Sequence, residues 1–281
     1  MKRVFVLNLD ADQELEDPSA RTPAAAMRAR IASLHARLLP LVGDARILGE
    51  HESAVGEHGL AWCPTPSALD RLRGAGALVS ETAAFEVLRR VNHRRFSFDL
   101  GATLPGERWV SSLADVRSAV GDGRRWLLKS GHGFAGRGQL RLCGALGDDE
   151  ARVTRMLARG GAQLEPLVAR TTDYALHGFI SSRGALTRGR LTVQRCDERG
   201  AWLESLLAPN DDPFKVPFWD ETARVSEALV RAGYFGPFGV DGFAWSANDG
   251  GTALRVRSEI NARYSMGWAI GMGDLRPDLE L

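Results

Sequence analysis

The segment Trp126–Leu140 reads WLLKSGHGFAGRGQL. It carries four glycines, one lysine and a GxGxxG match at Gly131, Gly133 and Gly136, and acids follow at Asp148, Asp149 and Glu150. A dinucleotide-binding turn needs such glycines to follow a strand and open a helix, so that the pyrophosphate rests on the helix N-terminus. The strand is there, in RWLLK. The helix is not: QLRLC after Gly138 alternates and reads as a second strand. A Walker A loop is excluded too, because Lys129 precedes the glycines. What remains is strand, glycine loop, strand. Such a hairpin either folds over phosphates, its backbone N–H groups near the oxygens and the Lys129 ammonium neutralising charge, or is an ordinary surface turn. Of the 36 basic residues only Lys2, Lys129 and Lys215 are lysines, so lysine is not this chain's generic solubilising charge.

A second constellation bears on that choice. FGVDGFAW and TALRVRSEIN read as strands flanking SANDGG, with the turn near residues 248–251. A hairpin centred there sets Asp241 opposite Glu259 or within one position of it. Glu259 and Asn261 are two apart and share a face. Three oxygen donors thus meet on one patch, a set that magnesium takes with water and phosphate completing its shell. On a regular strand Arg255 and Arg257 fall on that face as well, with Arg263 just beyond, and such cations suit a phosphoryl group or carboxylate. The other reading is a solvated hairpin face of alternating charge.

The remaining chain sets the frame. Its 281 residues and 44% hydrophobic content allow one large or two to three small domains. A net charge of +1 marks no nucleic-acid partner. Cys63, Cys143 and Cys196 are widely spaced and suggest neither disulfides nor zinc. MKRVFVLNLDADQELED reads as no secretory signal, and no run approaches the roughly 18 apolar residues of a membrane span, so a cytoplasmic location is expected. Up to about residue 80, strands (KRVFVLNL, RIL, GLAWC) alternate with helices (from Thr22-Pro23 to Leu41, then TPSALDRLRGAG), predicting a small parallel sheet. ETAAFEVLRRVNHRRFSFDLGA reads as helical to near Gly101. SLADVRSAV, the glycine hairpin, DDEARVTRMLARG and AQLEPLV then make a compact α+β unit. DYALHGFISSRGALTRGRLTVQR reads as a hairpin turning at Ser182–Gly184, and WDETARVSEALVRAGYF as an amphipathic helix.

Taken in order, WLLKSGHGFAGRG, LEPLV, TDYALHGFIS, GYFGPFGVDGF and EINARYSMG resemble the ATP-grasp superfamily over about Val91 to Met272. The resemblance implies an α/β and α+β chain. Two α+β subdomains, 91–170 with the glycine-rich lid and 171–281 with the magnesium site, would sandwich ATP behind an N-terminal α/β pre-ATP-grasp domain at 1–90. It implies that Lys129 contacts the α- and β-phosphates and that Gly131, Gly133, Gly136 and Gly138 belong to the loop above them. Glu165, Leu167 and Val168 would lie in the hinge beside adenine, and Asp173 at the ribose hydroxyls. Asp241, Glu259 and Asn261 would hold one or two Mg2+ ions, with Arg263 facing the transferring phosphoryl group. Where many members carry a second phosphate lysine, VNHRRF offers Arg94. Gly239 stands where the D-alanine–D-alanine ligase type has an arginine, and Arg257 on the neighbouring strand is the expected substitute. His177 reads as a structural histidine or a ligand contact, and Lys215 as solvated or ligand-reaching. Trp62 and Trp109 read as packing residues, and Tyr264, Met266 and Trp268 as acceptor pocket or packing.

The activity so implied is an ATP- and Mg2+-dependent carboxylate–amine ligase. It would join a small-molecule carboxylate and amine, amino-acid or peptide-like, through an acyl phosphate. A small-molecule kinase and a non-catalytic nucleotide-binding module are the alternatives, and a homodimer is left open.

Overall fold

A computed structural model describes residues 2–19, 29, 34, 37–133, 138–196, 202–247 and 249–280. Strands β1 (Arg3–Val6), β2 (Arg46–Ile47), β3 (His58–Ala61) and β4 (Leu78–Val79) form a parallel sheet in the order β2-β1-β3-β4. Val4, Phe5 and Val6 are all buried, as a strand covered on both faces requires. Pro66 opens the helix Pro66–Gly74 after Thr65, where a missing N–H costs nothing. The helix expected from Thr22 falls largely outside the described residues.

Strands β5 (Arg108–Val110), β6 (Arg125–Ser130), β7 (Gln139–Cys143) and β8 (Ala162–Pro166) form an antiparallel sheet ordered β5-β8-β6-β7. The glycine segment joins β6 to β7, with Lys129 opposite Gln139. Strand, not helix, therefore follows the glycines. The helix Leu113–Val120 starts on a capping box between Ser112 and Asp115, a feature that contributes about 1 kcal/mol. It packs with the helix Glu150–Leu157 over Trp126, Leu128, Leu140 and Leu164, a core separate from the rest of the chain.

Strands β9 (Arg170–Ile180), β10 (Leu186–Cys196), β11 (Trp202–Leu207), β12 (Gly236–Ser246) and β13 (Thr252–Asn261) form a second antiparallel sheet, ordered β11-β10-β9-β12-β13. Its inner residues Phe179, Ile180, Phe238, Val240 and Ile260 share one core with Phe5 of the parallel sheet and Leu7 just beyond β1. The first and last sheets are thus fused through their core, while the β5–β8 sheet has its own. No helix among the described residues is long and apolar enough to cross a membrane.

Two local readings change. The helix expected through Gly101 breaks into Phe85–Asn92 and Arg94–Asp99, because His93 is extended and its Nδ1 accepts from Arg95 N at 3.1 Å as an N-cap. The β12–β13 hairpin is not regular: its pairing shifts between Asp241↔Glu259 and Phe243↔Arg255. Gly242 sits at that shift against the Arg255 carbonyl and the Phe218 ring, where a Cβ would not fit.

Candidate functional site

A cavity of about 230 Å³ opens between the three sheets. Lys129 and Gly133 reach it from the β6–β7 hairpin, Asp173 and Tyr174 from β9, and Gln194 from β10. Asp241, Glu259 and Asn261 reach it from the β12–β13 hairpin, and Arg263, Ser265 and Met266 from the loop beyond. The expected register holds, since Asp241 is the direct partner of Glu259 and Gly239 of Asn261. Asn261 Nδ2 donates to Asp241 Oδ2 at 2.9 Å, and Gln194 Nε2 to Asp241 Oδ1 at 3.1 Å. Burial and the adjacent Glu259 push Asp241 up to about 7, against those two hydrogen bonds. The carboxylates therefore sit closer than their own charge favours, a condition a dication relieves.

The donor set is hard oxygen throughout: two carboxylates and an amide. Among the described residues no three His, Cys, Asp or Glu side chains form a metal cluster by themselves. Two carboxylates and an amide suit magnesium, which keeps most of its shell for water and phosphate.

Lys129 is only 4% exposed, and its Nζ lies 2.6 Å from Glu165 Oε1. Burial lowers the ammonium to about 8, against the pull of Glu165. Burial alone would raise Glu165, but Lys129 and Arg255 outweigh it and hold the acid at about 2. The segment expected as the hinge thus meets Lys129 through the Glu165 side chain. Glu165 is buried, and Leu167 N donates to Arg125 O at 2.9 Å, whereas Leu167 and Val168 stay half-buried at the end of β8. None of the three lines the cavity.

Arg94 bridges the two halves. Its guanidinium donates to Ser130 O at 2.7 Å and to Glu259 Oε1 at 2.9 Å. The base of the glycine loop is pinned by the same neighbourhood. Ser130 Oγ donates to His132 O, Ser130 N to Gly138 O and Arg94 N to Gly131 O. Gly138 has φ +71°, which its place against Ser130 Oγ reserves for glycine, and Gly131 has no room for a Cβ beside the His93 ring. Gly136 lies outside the described residues.

Arg257 does not join the site. The irregular hairpin buries it against Glu221 of the helix Lys215–Arg231, Ser97 Oγ and the Gly101 carbonyl. Arg255 is buried as well, ion-paired to Glu107 and to Glu165 at 2.6 Å. Arg263 does line the cavity, with its NH2 group 3.0 Å from Asp12 Oδ2. Asp12, from the helix Ala11–Glu16, was not read from sequence; nor were Gln194 and Arg170, whose guanidinium stacks 4.1 Å above the Phe243 ring.

His177 is fully buried, with Nδ1 3.1 Å from Ser265 Oγ. It packs where Gly239, Gly267 and Gly271 leave no room for a Cβ, and burial lowers its pKa to about 3. It is a neutral core residue behind the cavity wall. Lys215 lies away from the cavity, its Nζ 4.9 Å from the Trp219 ring. Tyr264 and Trp268 pack in the shared core, as does Trp62, which together with Met266 also lines the cavity.

No protein-family model matches the chain, and no curated protein does. Solved structures do. N5-carboxyaminoimidazole synthetase from Staphylococcus aureus, complexed with ADP, superposes with a TM-score of 0.54 at 11% identity, over 94% of this chain and 72% of that one. The biotin carboxylase domain of Hydrogenobacter thermophilus 2-oxoglutarate carboxylase, in complex with MgADP, ADP and bicarbonate, gives 0.53 at 11%, over 94% and 65%. D-alanyl-alanine synthetase A from Vibrio cholerae gives 0.50 at 9%, over 93% and 89%. The chain has the ATP-grasp fold.

Proposed function

We propose that the chain is an ATP-dependent carboxylate–amine ligase, organised as an N-terminal unit (1–90), a lid unit (91–170) and a metal-bearing unit (171–281). The observation that carries this reading is the convergence of Lys129, Asp241, Glu259, Asn261 and Arg263 on one cavity from three separate segments. The structural neighbours are named for ADP complexes or for synthetase and carboxylase activities, and the same chemistry is proposed here.

In that reaction a substrate carboxylate oxygen attacks the γ-phosphorus of ATP, the bond to the bridging oxygen breaks, and ADP leaves. An amine nitrogen then attacks the acyl carbon of the resulting acyl phosphate. Inorganic phosphate departs, and the nitrogen loses a proton as the amide forms. Lys129 offsets charge on the phosphate chain, while Arg263 orients the anionic group at the reacting end. Asp241, Glu259 and Asn261 would hold Mg2+, which supplies further charge neutralisation when bound. The Gly133 end of the hairpin lies over the cavity and would limit water access.

A phosphate-release screen across carboxylates, with and without amines, tests the reading. The ligase gives release that requires both, and an amide product by mass spectrometry. Turnover to a stable phosphoester without any amine would replace the ligase with a kinase.

A further inference from the structure

The cavity has a second, unlike lining. Four segments contribute apolar side chains to it: Trp62 just past the end of β3, Leu34, Trp202 on β11 and Met266 beyond β13. Trp62 and Trp202 meet the short loop that carries Met266. Tyr264 N donates to Trp62 O at 3.1 Å, and the Trp202 indole donates to Ser205 Oγ at 2.9 Å, which in turn sits against Gly267. The Trp202 N–H is thereby satisfied, leaving an apolar ring face for the cavity. Trp202 and Met266 pack against the shared core yet remain only partly buried. Ligands of parallel sheets gather at the C-terminal ends of the strands, and Trp62 stands at that end of β3.

Beside this wall lies Arg263. It is 6% exposed and lines the cavity, and its Nε has no hydrogen-bond partner among the described residues. The guanidinium lines the cavity beside the apolar wall, and a carboxylate there finds a charge-assisted partner. With Mg2+ offsetting Asp241 and Glu259, an ammonium at the same place meets the like charge of Arg263.

We infer that the carboxylate substrate carries a bulky apolar side group, aromatic or branched aliphatic, seated on Trp62, Leu34, Trp202 and Met266 with its carboxylate at Arg263. This rests on the ligase reading for the word substrate, but the binding claim stands apart from turnover. Burial of such a group favours it over a short or charged one by about thirty-fold or more.

The test uses the full chain saturated with Mg2+ and a non-hydrolysable ATP analogue. Tryptophan fluorescence and calorimetry follow titration with 3-phenylpropionate, 4-methylpentanoate, acetate, succinate and 2-phenylethylamine. The expected result is tightest binding for 3-phenylpropionate and 4-methylpentanoate. Met266→Glu and Trp202→Ala should each weaken both at least tenfold, and Met266→Glu should keep the analogue's own affinity. Met266 lies on a partly exposed loop, so that variant tests the wall even where Trp202→Ala disturbs the fold. Equal binding of acetate or succinate overturns the inference, as does preference for 2-phenylethylamine over 3-phenylpropionate or indifference to Met266→Glu. If 3-phenylpropionate binds as expected but no amine elicits phosphate release, the ligase reading alone falls. If acetate supports release as well as 3-phenylpropionate, the side-group inference alone falls.

Discussion

Two buried charge clusters meet at the cavity, and their balances differ. On the β5–β8 side, the buried Lys129 and Arg255 face the buried Glu165 and Glu107, two cations against two carboxylates, with the half-exposed Arg170 3.9 Å from Glu165 at the rim. On the hairpin side, Arg94 and Arg263 face Asp12, Asp241 and Glu259, two against three. The first cluster closes its own charge, and Glu165 is held far below the usual carboxylate range. The second does not, and burial raises both Asp12 and Asp241. A balanced buried cluster is a structural tie, here between β13 and the β5–β8 sheet. An unbalanced one opening on a cavity is a place for a cation.

The sharpest way to break this contrast is to remove charge from the unbalanced side. Glu259→Gln should lower magnesium-dependent phosphate release by about a thousand-fold or more, with far-UV circular dichroism unchanged. Activity within tenfold of wild type would show that Glu259 holds no metal. The reverse pattern is expected for the balanced side. Arg255→Met strands Glu107 without its guanidinium partner and should cost about 3–5 kcal/mol in urea denaturation, a loss of stability rather than of metal response.

The glycine hairpin and the Asp241–Glu259 pairing were legible because each depends on neighbours within one hairpin. Alternation in QLRLC excluded the dinucleotide reading, and the turn at residues 248–251 set the register. Arg257 was misplaced because alternation assumes a regular strand, and the shift beside Gly242 redirected it. Gln194 and Asp12 could not be seen. Gln194 reaches Asp241 only because β9 lies between β10 and β12. Asp12 meets Arg263 across 251 positions of sequence. Strand order and long-range packing carry no local signature. The break at His93 was hidden for a related reason, since apolar periodicity runs through both short helices and only the cap separates them.

A smaller effect probes the residue that belongs to both clusters' boundary. Lys129→Ala should weaken ATP binding by about ten- to a hundredfold, as loss of one charge-assisted contact does, measured by calorimetry. Wild-type affinity would leave Lys129 as Glu165's partner only.

The smallest expected effect is a pH response from the core behind the cavity. His177 is neutral when folded, with its pKa lowered by burial to about 3. The unfolded chain takes up a proton near pH 6.5 that the folded chain does not. Stability is therefore fully present above that value and falls as pH drops toward 3. Between pH 6.5 and 5.5 the loss from this group is about 1 kcal/mol. Denaturation at the two pH values, with His177→Gln for comparison, reads it out. An identical pH dependence in the variant would assign the slope elsewhere.

The central claim is that the unbalanced cluster takes magnesium together with ATP. Calorimetric titration of the non-hydrolysable ATP analogue, with Mg2+ or with EDTA, in wild type and in Glu259→Gln, tests it directly. Wild type should bind at least about tenfold tighter with Mg2+, and the variant should lose that difference. Equal affinity with and without Mg2+ in wild type would contradict the account.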